Sequence, residues 1–148
     1  INEVLGCTDT TALNYEPAAT IDNGSCMYPC TDITFSLTTD NYPGETTWDI
    51  TDDAGAIVLS GGSYADTQTL YTTTACLEYG CYTLSVYDSY GDGMSWGGVQ
   101  GSYTLTEDAT GTVLAQIVAG AAFGALATHQ FCIPTTVPGC TDATACNY

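Results

Sequence analysis

The chain has 148 residues, with 17 aspartates and glutamates, one histidine and no lysine or arginine. Because binding to phosphate groups depends on lysine and arginine, this composition excludes nucleic acid and anionic membrane surfaces as partners. No stretch of the sequence reaches the roughly 18 apolar residues that span a bilayer, so we expect no membrane insertion.

The carboxylates have no side-chain cation, apart from the single histidine, with which to form salt bridges. Each of them must therefore face water, accept backbone hydrogen bonds or bind a metal ion. Hard oxygen ligands suit calcium best among the common ions. We expect most of the acids to be solvated and a few, clustered in loops, to bind calcium as the cofactor.

The eight cysteines, at positions 7, 26, 30, 76, 81, 132, 140 and 146, include no CxxC pair. Zinc sites usually contain such pairs, so disulfides are the better interpretation of these residues. Disulfides persist in oxidising compartments, which indicates a secreted, extracellular or cell-surface protein.

One motif occurs twice. The segment Gly6–Tyr15 recurs as Gly139–Tyr148, and eight of the ten positions are identical. We therefore expect the sequence to stop inside a second copy and to belong to a longer repetitive protein. The predicted organisation is a small repeat at residues 1–29, a larger domain at 30–133, and a linker with the start of the next repeat at 134–148.

The segment from Gly6 to Cys26, with its Gly-Cys-Thr-Asp start and Asp-Asn-Gly-Ser-Cys end, resembles the GCTD-type repeats of secreted microbial proteins. In that family a small, calcium-associated, disulfide-closed loop stands between larger β-domains. The resemblance implies a disulfide between Cys7 and Cys26. Closing a loop of this length would stabilise a segment without a core by roughly 3 kcal/mol.

Three side chains of this repeat are candidate calcium ligands: Asp9, Asn14 and Asp22 carry short oxygen side chains around the turn at Gly24. The alternative is that they cap turns through backbone hydrogen bonds without any metal.

The central segment changes to short alternating runs that predict about eight strands: Ile33–Thr38, Thr46–Thr51, Ala56–Ser60, Gln68–Thr74, Cys81–Tyr87, Gly101–Thr106, Thr112–Val118 and Leu126–Cys132. Strands at this spacing favour an all-β antiparallel sandwich or jelly roll. The segments Asn41–Trp48, Cys76–Tyr82 and Asp88–Gly93 resemble a secreted β-sandwich similar to CUB domains and proprotein-convertase P-domains. This resemblance implies the same fold and compartment.

Two further disulfides are predicted from position. Cys30 precedes the first strand and Cys132 ends the last, so a bridge between them would clasp the two ends of the domain. Cys76 and Cys81 flank a short turn and are predicted to pair with each other, with free thiols as the alternative.

Asp88 and Asp92 have the spacing of positions 1 and 5 of an EF-hand loop. Tyr90 and Val99 stand where that loop requires oxygen ligands, so this is not an EF-hand. We expect a calcium site that uses Asp88, Asp92 and backbone carbonyls. The competing interpretation is a glycine-rich turn whose aspartates cap the backbone.

The sequence gives little support for catalysis. His129 lies within a predicted strand and is expected to be structural, and no lysine or arginine is present to stabilise an oxyanion. Trp96, in the glycine-rich loop, is a candidate for glycan binding.

Residues 109–141 contain no acid, and within them Val118–Leu126 is a run of small apolar residues around Phe123. We expect part of this strip to pack against neighbouring copies, the alternative being a buried strand and its turn. The predicted function is a structural or adhesive module of a surface fibre, filament or sheath. The alternative is a calcium-dependent glycan-binding module.

Overall fold

The computed structural model describes residues 2–119 and 122–133. The predicted segment 134–148, with the second motif copy and its cysteines Cys140 and Cys146, lies outside the described residues. The chain divides into two compact units, Ile1–Cys30 and a second that begins at Thr31. The domain boundary predicted after residue 29 lies next to this division.

The first unit has little regular structure. Strands β1 (Leu5–Gly6) and β2 (Ile21–Asp22) pair in parallel. Among its described residues only Gly6, Cys7 and Ala12 are buried. The predicted disulfide is confirmed: Cys7 and Cys26 are bonded, with their Cα atoms 4.8 Å apart. With so small a core, this covalent bond is a principal stabilising feature of the unit.

The regular structure in the described part of the second unit consists of strands and one short helix. The bounds of the strands are β3 Cys30–Thr38, β4 Thr46–Asp52, β5 Ile57–Gly62, β6 Leu70–Glu78, β7 Gly80–Asp88, β8 Ser95–Trp96, β9 Val99–Gln100, β10 Ser102–Glu107, β11 Val113–Ile117 and β12 Leu126–Ile133. A short 3-10 helix, Pro43–Glu45, precedes β4. No helix among the described residues is long and apolar enough to cross a membrane.

The eight longer strands form two four-stranded sheets. The first sheet has the order β11–β10–β3–β6 and the second has the order β12–β7–β4–β5. The pairs β10–β11, β10–β3, β12–β7, β4–β7 and β4–β5 are all antiparallel. The predicted all-β antiparallel fold is confirmed, and each of the eight predicted strands overlaps one observed strand. The short hairpin β8–β9 was not predicted.

The core lies between the inner faces of the two sheets. Alternate residues of β3, among them Ile33 and Phe35, point inward and are fully buried, as are Trp48 and Ile50 of β4. The rings of Phe35 and Trp48 lie 4.4 Å apart between centroids. Burial of each such side chain contributes about 1.5–3 kcal/mol, so this unit has the core that the first unit lacks.

The largest buried side chain, Trp48, constrains the neighbouring edge strand. Its indole Nε1 donates a hydrogen bond to the Tyr64 hydroxyl at 2.7 Å. A Cβ atom placed on Gly61 would lie 2.8 Å from the indole ring. Only glycine therefore leaves room for the tryptophan opposite β5.

Both disulfides predicted for this domain are wrong. Cys81 bonds Cys132, with their Cα atoms 4.0 Å apart, and this excludes the predicted pairs Cys30–Cys132 and Cys76–Cys81. Cys30 and Cys76 are also disulfide-bonded. The cause is strand order: β7 and β12 are neighbours, and their register places Cys81 directly opposite Cys132. Distance along the sequence does not reveal that register.

Candidate metal centre

The last residue of β7 organises the loop that follows it. Asp88 is 3% exposed. Its Oδ2 atom accepts hydrogen bonds from the backbone N–H groups of Gly91, Asp92 and Gly93 at 2.6, 2.7 and 2.9 Å. Gly91 and Gly93 have φ angles of 97° and 77°, which glycine adopts without strain. One carboxylate oxygen therefore holds the turn.

The other oxygen of Asp88 has no such partner. Asp88 Oδ1 is buried, and no residue described in the structure donates a hydrogen bond to it. A buried polar atom without a partner costs about 1–3 kcal/mol, and more when it is charged. This oxygen therefore has free lone pairs, and binding of a cation or a hydrogen-bond donor to it would stabilise the fold.

Two further carboxylates lie beside the Asp88 side chain. Carboxylate oxygens of Glu45, Asp88 and Asp92 lie within 4.8 Å of one another. Glu45 ends the 3-10 helix, and the antiparallel register of β4 with β7 pairs the next residue, Thr46, with Asp88. The N–H of Ser89 also donates to the backbone carbonyl of Glu45 at 3.0 Å, which fixes the helix beside the loop.

The surroundings of this cluster raise the pKa values of two of its members, Glu45 and Asp92. Loss of water contact is the largest cause that raises the pKa of Glu45, followed by the negative charges of Asp88, Asp92 and Asp40. Loss of water contact is also the largest cause that raises the pKa of Asp92, followed by the negative charge of the neighbouring Asp88 carboxylate. Negative charge is concentrated here in a chain that has no lysine or arginine to balance it.

The donor set has the chemistry of a calcium site. Calcium takes six to eight oxygen ligands at roughly 2.3–2.6 Å, so two oxygens bound to one ion lie at most about 4.6–5.2 Å apart. The 4.8 Å limit of the cluster is compatible with that range. The structure thus brings together the predicted ligands Asp88 and Asp92 and adds Glu45. A central ion would relieve both the unpartnered oxygen and the mutual repulsion.

An aromatic rim surrounds this cluster. Glu45 and Asp92 line a cavity of about 160 Å³ together with Tyr42, Tyr90 and Trp96. The three aromatic side chains are 47%, 73% and 52% exposed. Trp96, the predicted candidate for a ligand contact, is held at the rim by the β8–β9 hairpin, in which it pairs with Val99.

The predicted ligands of the first unit are used differently. Asp9 Oδ1 accepts hydrogen bonds from the N–H and hydroxyl of Thr11, both at 2.8 Å. Asn14 Oδ1 accepts from the N–H of Met27 at 2.7 Å. Asp22 Oδ1 accepts from the N–H of Gly24 at 2.8 Å. Asp9 and Asp22 thus accept from backbone N–H groups two residues ahead, as in the turn-capping alternative, whereas Asn14 links to the backbone of a distant part of the loop. A calcium ion in this unit stays a prediction.

The residue singled out in the uncharged strip packs inward. Phe123 is partly buried against the core, with its ring 6.4 Å from that of Tyr103. A Cβ atom on Gly93 would lie 2.9 Å from the Phe123 backbone nitrogen, so the strip also packs closely on the Asp88 loop. The exposed large apolar side chains among the described residues of the run Val118–Leu126 are Val118 and Leu126, at 65% and 49%.

The single histidine has a partner inside the sandwich. His129 Nε2 lies 2.7 Å from the Tyr103 hydroxyl. Burial lowers the pKa of His129 and raises the pKa of Tyr103 to about 12. Both groups are therefore neutral at pH 7 and share a hydrogen bond between β12 and β10, the arrangement expected of a histidine with a structural role.

Glu45 is the member of this acidic cluster that sequence reasoning missed. It lies far from the Asp88 loop along the chain, and only the pairing of β4 with β7 brings the two together. Its position after Pro43-Gly44 reads as an ordinary turn. The single available signal is the lack of any lysine or arginine for its charge, and that signal applies to every acid in the sequence.

Comparison with protein-family models, with curated proteins and with solved structures finds no match for this chain.

Proposed function

We propose that this chain is a structural or adhesive module of a repetitive extracellular protein, a building block of a surface fibre, filament or sheath. Its disulfides and a calcium ion held by Glu45, Asp88 and Asp92 stabilise it. Neighbouring copies of the module are its partners.

One observation carries the calcium part of this proposal. Asp88 is almost completely buried, yet its Oδ1 atom has no hydrogen-bond donor among the described residues. Turn capping alone explains Oδ2, which accepts three backbone N–H groups. It does not explain why Oδ1 has no donor, nor why carboxylate oxygens of Glu45 and Asp92 lie within 4.8 Å of this side chain. A divalent cation accounts for both features.

The extracellular part draws support from the covalent structure. All six cysteines among the described residues are disulfide-bonded, a state typical of oxidising compartments. Millimolar calcium outside cells would also supply the positive charge that the chain cannot supply itself, since weak extracellular sites have dissociation constants of roughly 10⁻⁴–10⁻³ M. Copies of a strongly acidic module would otherwise repel each other.

The test is calcium titration of the purified chain by calorimetry and by thermal unfolding. We expect calcium to raise the unfolding temperature and EDTA to reverse the rise; at 100 times the dissociation constant the gain is about 2.7 kcal/mol. Glu45→Gln and Asp92→Asn should each abolish most of this gain. Asp53→Asn removes one exposed acid from a distant turn and should leave the gain unchanged.

Equal calcium responses in Glu45→Gln, Asp92→Asn and Asp53→Asn would contradict the site, because they would show only general screening of an acidic chain. Assembly is tested separately, by light scattering and electron microscopy of the concentrated chain in calcium. A chain that stays monomeric and forms no filament under these conditions would contradict the fibre proposal.

A second candidate function is calcium-dependent glycan binding. The observation that favours it is the aromatic rim, because three large aromatic side chains surround the carboxylates while remaining substantially exposed to solvent. Exposed aromatic clusters of this kind usually mark a binding surface. The two functions are compatible, since an adhesive module can use such a surface.

A further inference from the structure

We infer that the Glu45–Asp88–Asp92 centre binds a neutral sugar through a calcium ion, with two adjacent hydroxyl groups of the sugar completing the coordination of the ion and the ring stacked on Trp96. This inference rests on the calcium site of the proposed function and names the ligand class and its mode of binding.

The protein leaves coordination positions open. Asp88 Oδ2 is already occupied by three backbone N–H groups, so Asp88 offers one oxygen to the ion. Glu45 and Asp92 offer at most two oxygens each. Against the six to eight ligands that calcium takes, these five leave roughly one to three positions. The higher coordination numbers leave room for the two oxygens of a vicinal diol.

The open positions face the cavity. Glu45 and Asp92 line its wall, whereas Asp88 is buried behind them, so an ion between the three would be reached from the cavity side. The cavity volume of about 160 Å³ is below the roughly 300 Å³ of small-molecule pockets. It therefore suits a single ring or the end of a chain better than a larger organic ligand.

The rim supplies the second half of a carbohydrate site. Sugars present an apolar face of C–H groups, and exposed aromatic rings bind such faces while hydroxyl groups remain at the edge. Trp96 is half exposed on the hairpin β8–β9, and Tyr42 and Tyr90 stand on the same cavity. Core packing does not account for these three rings, in contrast to the buried Trp48.

Charge decides between neutral and acidic sugars. Three carboxylates and one calcium ion leave a net charge of −1 at the site, and the negative charge of Asp40 also acts on both Glu45 and Asp92. The chain as a whole carries −17 and no lysine or arginine. A carboxylated or sulfated glycan would be repelled by this field, so the favoured ligand is uncharged.

The experiment is a binding assay with the full chain in calcium and in EDTA. The probes are mannan and galactan as neutral polymers, alginate as an acidic polymer, and their monosaccharides in calorimetry. We expect binding to at least one neutral probe in calcium, none in EDTA and none to alginate. Trp96→Ala should weaken neutral-sugar binding roughly tenfold while the calcium titration stays unchanged. Tyr79→Ala, at an exposed tyrosine away from the cavity, is the matched control.

The outcomes separate this inference from the proposed function. Calcium binding without any neutral-sugar binding, or with preference for alginate, overturns the inference and leaves the calcium site intact. Sugar binding that persists in EDTA, or that Trp96→Ala leaves unchanged, also overturns it. Failure of the wild-type chain to bind calcium would contradict both this inference and the calcium site of the proposed function.

Discussion

The two units of this chain use acidic side chains in opposite ways. In the first unit, Asp9 and Asp22 each accept a hydrogen bond from the backbone N–H two residues ahead, and each acid does so separately. In the second unit, Asp88 also places one oxygen on backbone N–H groups, but its other oxygen is buried without a donor among the described residues, and Glu45 and Asp92 lie close to this side chain. The acids of the first unit have hydrogen-bond donors within the chain, whereas the second oxygen of Asp88 still needs a cation or a donor.

The two units also differ in what stabilises them. The first unit buries three of its described residues and depends on the Cys7–Cys26 disulfide. The sandwich has a continuous apolar core and can therefore maintain a strained, repulsive cluster at its edge. A cluster of acids that costs folding free energy thus occurs where a core offsets the cost.

The largest effect should come from removing disulfides. The double variant Cys7→Ala with Cys26→Ala should lose the structure of residues 2–29, because about 3 kcal/mol of loop-closure stabilisation exceeds what so small a core provides. Hydrogen exchange measured on the full chain should show unprotected amides there and unchanged protection in the sandwich.

The matched variant is Cys81→Ala with Cys132→Ala. The strands β7 and β12 remain hydrogen-bonded over eight residue pairs, so the sandwich should stay folded with a lower unfolding temperature. Retained protection of the first unit without its disulfide would break the comparison between the two units.

The second-largest loss of unfolding free energy is expected for Asp88→Ala, which is compared with Asp22→Ala. Asp88→Ala removes three charge-assisted hydrogen bonds and a calcium ligand, so in calcium we expect a loss of about 3 kcal/mol or more, measured by urea unfolding with tryptophan fluorescence. Asp22→Ala removes one capping bond and should cost about 1 kcal/mol, seen as faster hydrogen exchange in the first unit. Similar losses at both positions would show that Asp88 only caps a turn.

The two units should respond to acid with opposite signs in EDTA. Hydrogen bonds from the backbone and side chain of Thr11 and from Tyr28 lower the pKa of Asp9, so its stabilisation is present above about pH 3.8 and is lost as pH falls through the lower, folded-state value. The raised pKa values of Glu45 and Asp92 mean the reverse: their contribution is present at low pH and is lost as pH rises through the folded-state values.

Melting curves from pH 3 to pH 7 with hydrogen exchange of each unit would measure these responses. Calcium should cancel the loss in the sandwich near neutral pH, and Glu45→Gln should flatten the metal-free profile. If the metal-free stability of the sandwich instead rises steadily with pH, with the same slope in Glu45→Gln, the two units do not respond to acid with opposite signs.

The smallest effect concerns His129. Because burial lowers its pKa, its contribution to stability is present above about pH 6.5 and declines as pH falls through the folded-state value. This loss opposes the gain from Glu45 and Asp92 in the same unit. His129→Gln keeps a side chain that can hydrogen-bond Tyr103 and should steepen the metal-free gain on acidification. An unchanged profile in this variant would mean that the histidine does not titrate with folding.

Much of the fold could be predicted from sequence because strand periodicity and turn residues are local signals. Alternation such as Ile33, Phe35 and Leu37 identifies β3 and its inward face directly. The Cys7–Cys26 bridge was implied by the resemblance of the segment Gly6–Cys26 to the GCTD-type repeats. The strands β1, β2, β8 and β9 were missed because two-residue strands carry no periodicity.

What sequence could not supply is the pairing between distant strands. The partner of Cys81 and the approach of Glu45 to Asp88 both depend on which strands are neighbours and in what register. Asp88 and Asp92 were found because one loop contains both. Their third partner was missed for the same reason that two disulfides were predicted incorrectly.

The double use of Asp88 has a consequence for engineering. One oxygen of this side chain builds the loop, and the other is buried without a donor among the described residues, so substitution at this position should change loop geometry and calcium affinity together. Glu45 and Asp92 lie at the cavity wall and can be exchanged for other oxygen side chains while the turn persists. A designer who wants graded calcium thresholds on this scaffold should keep Asp88 fixed and vary the two outer acids.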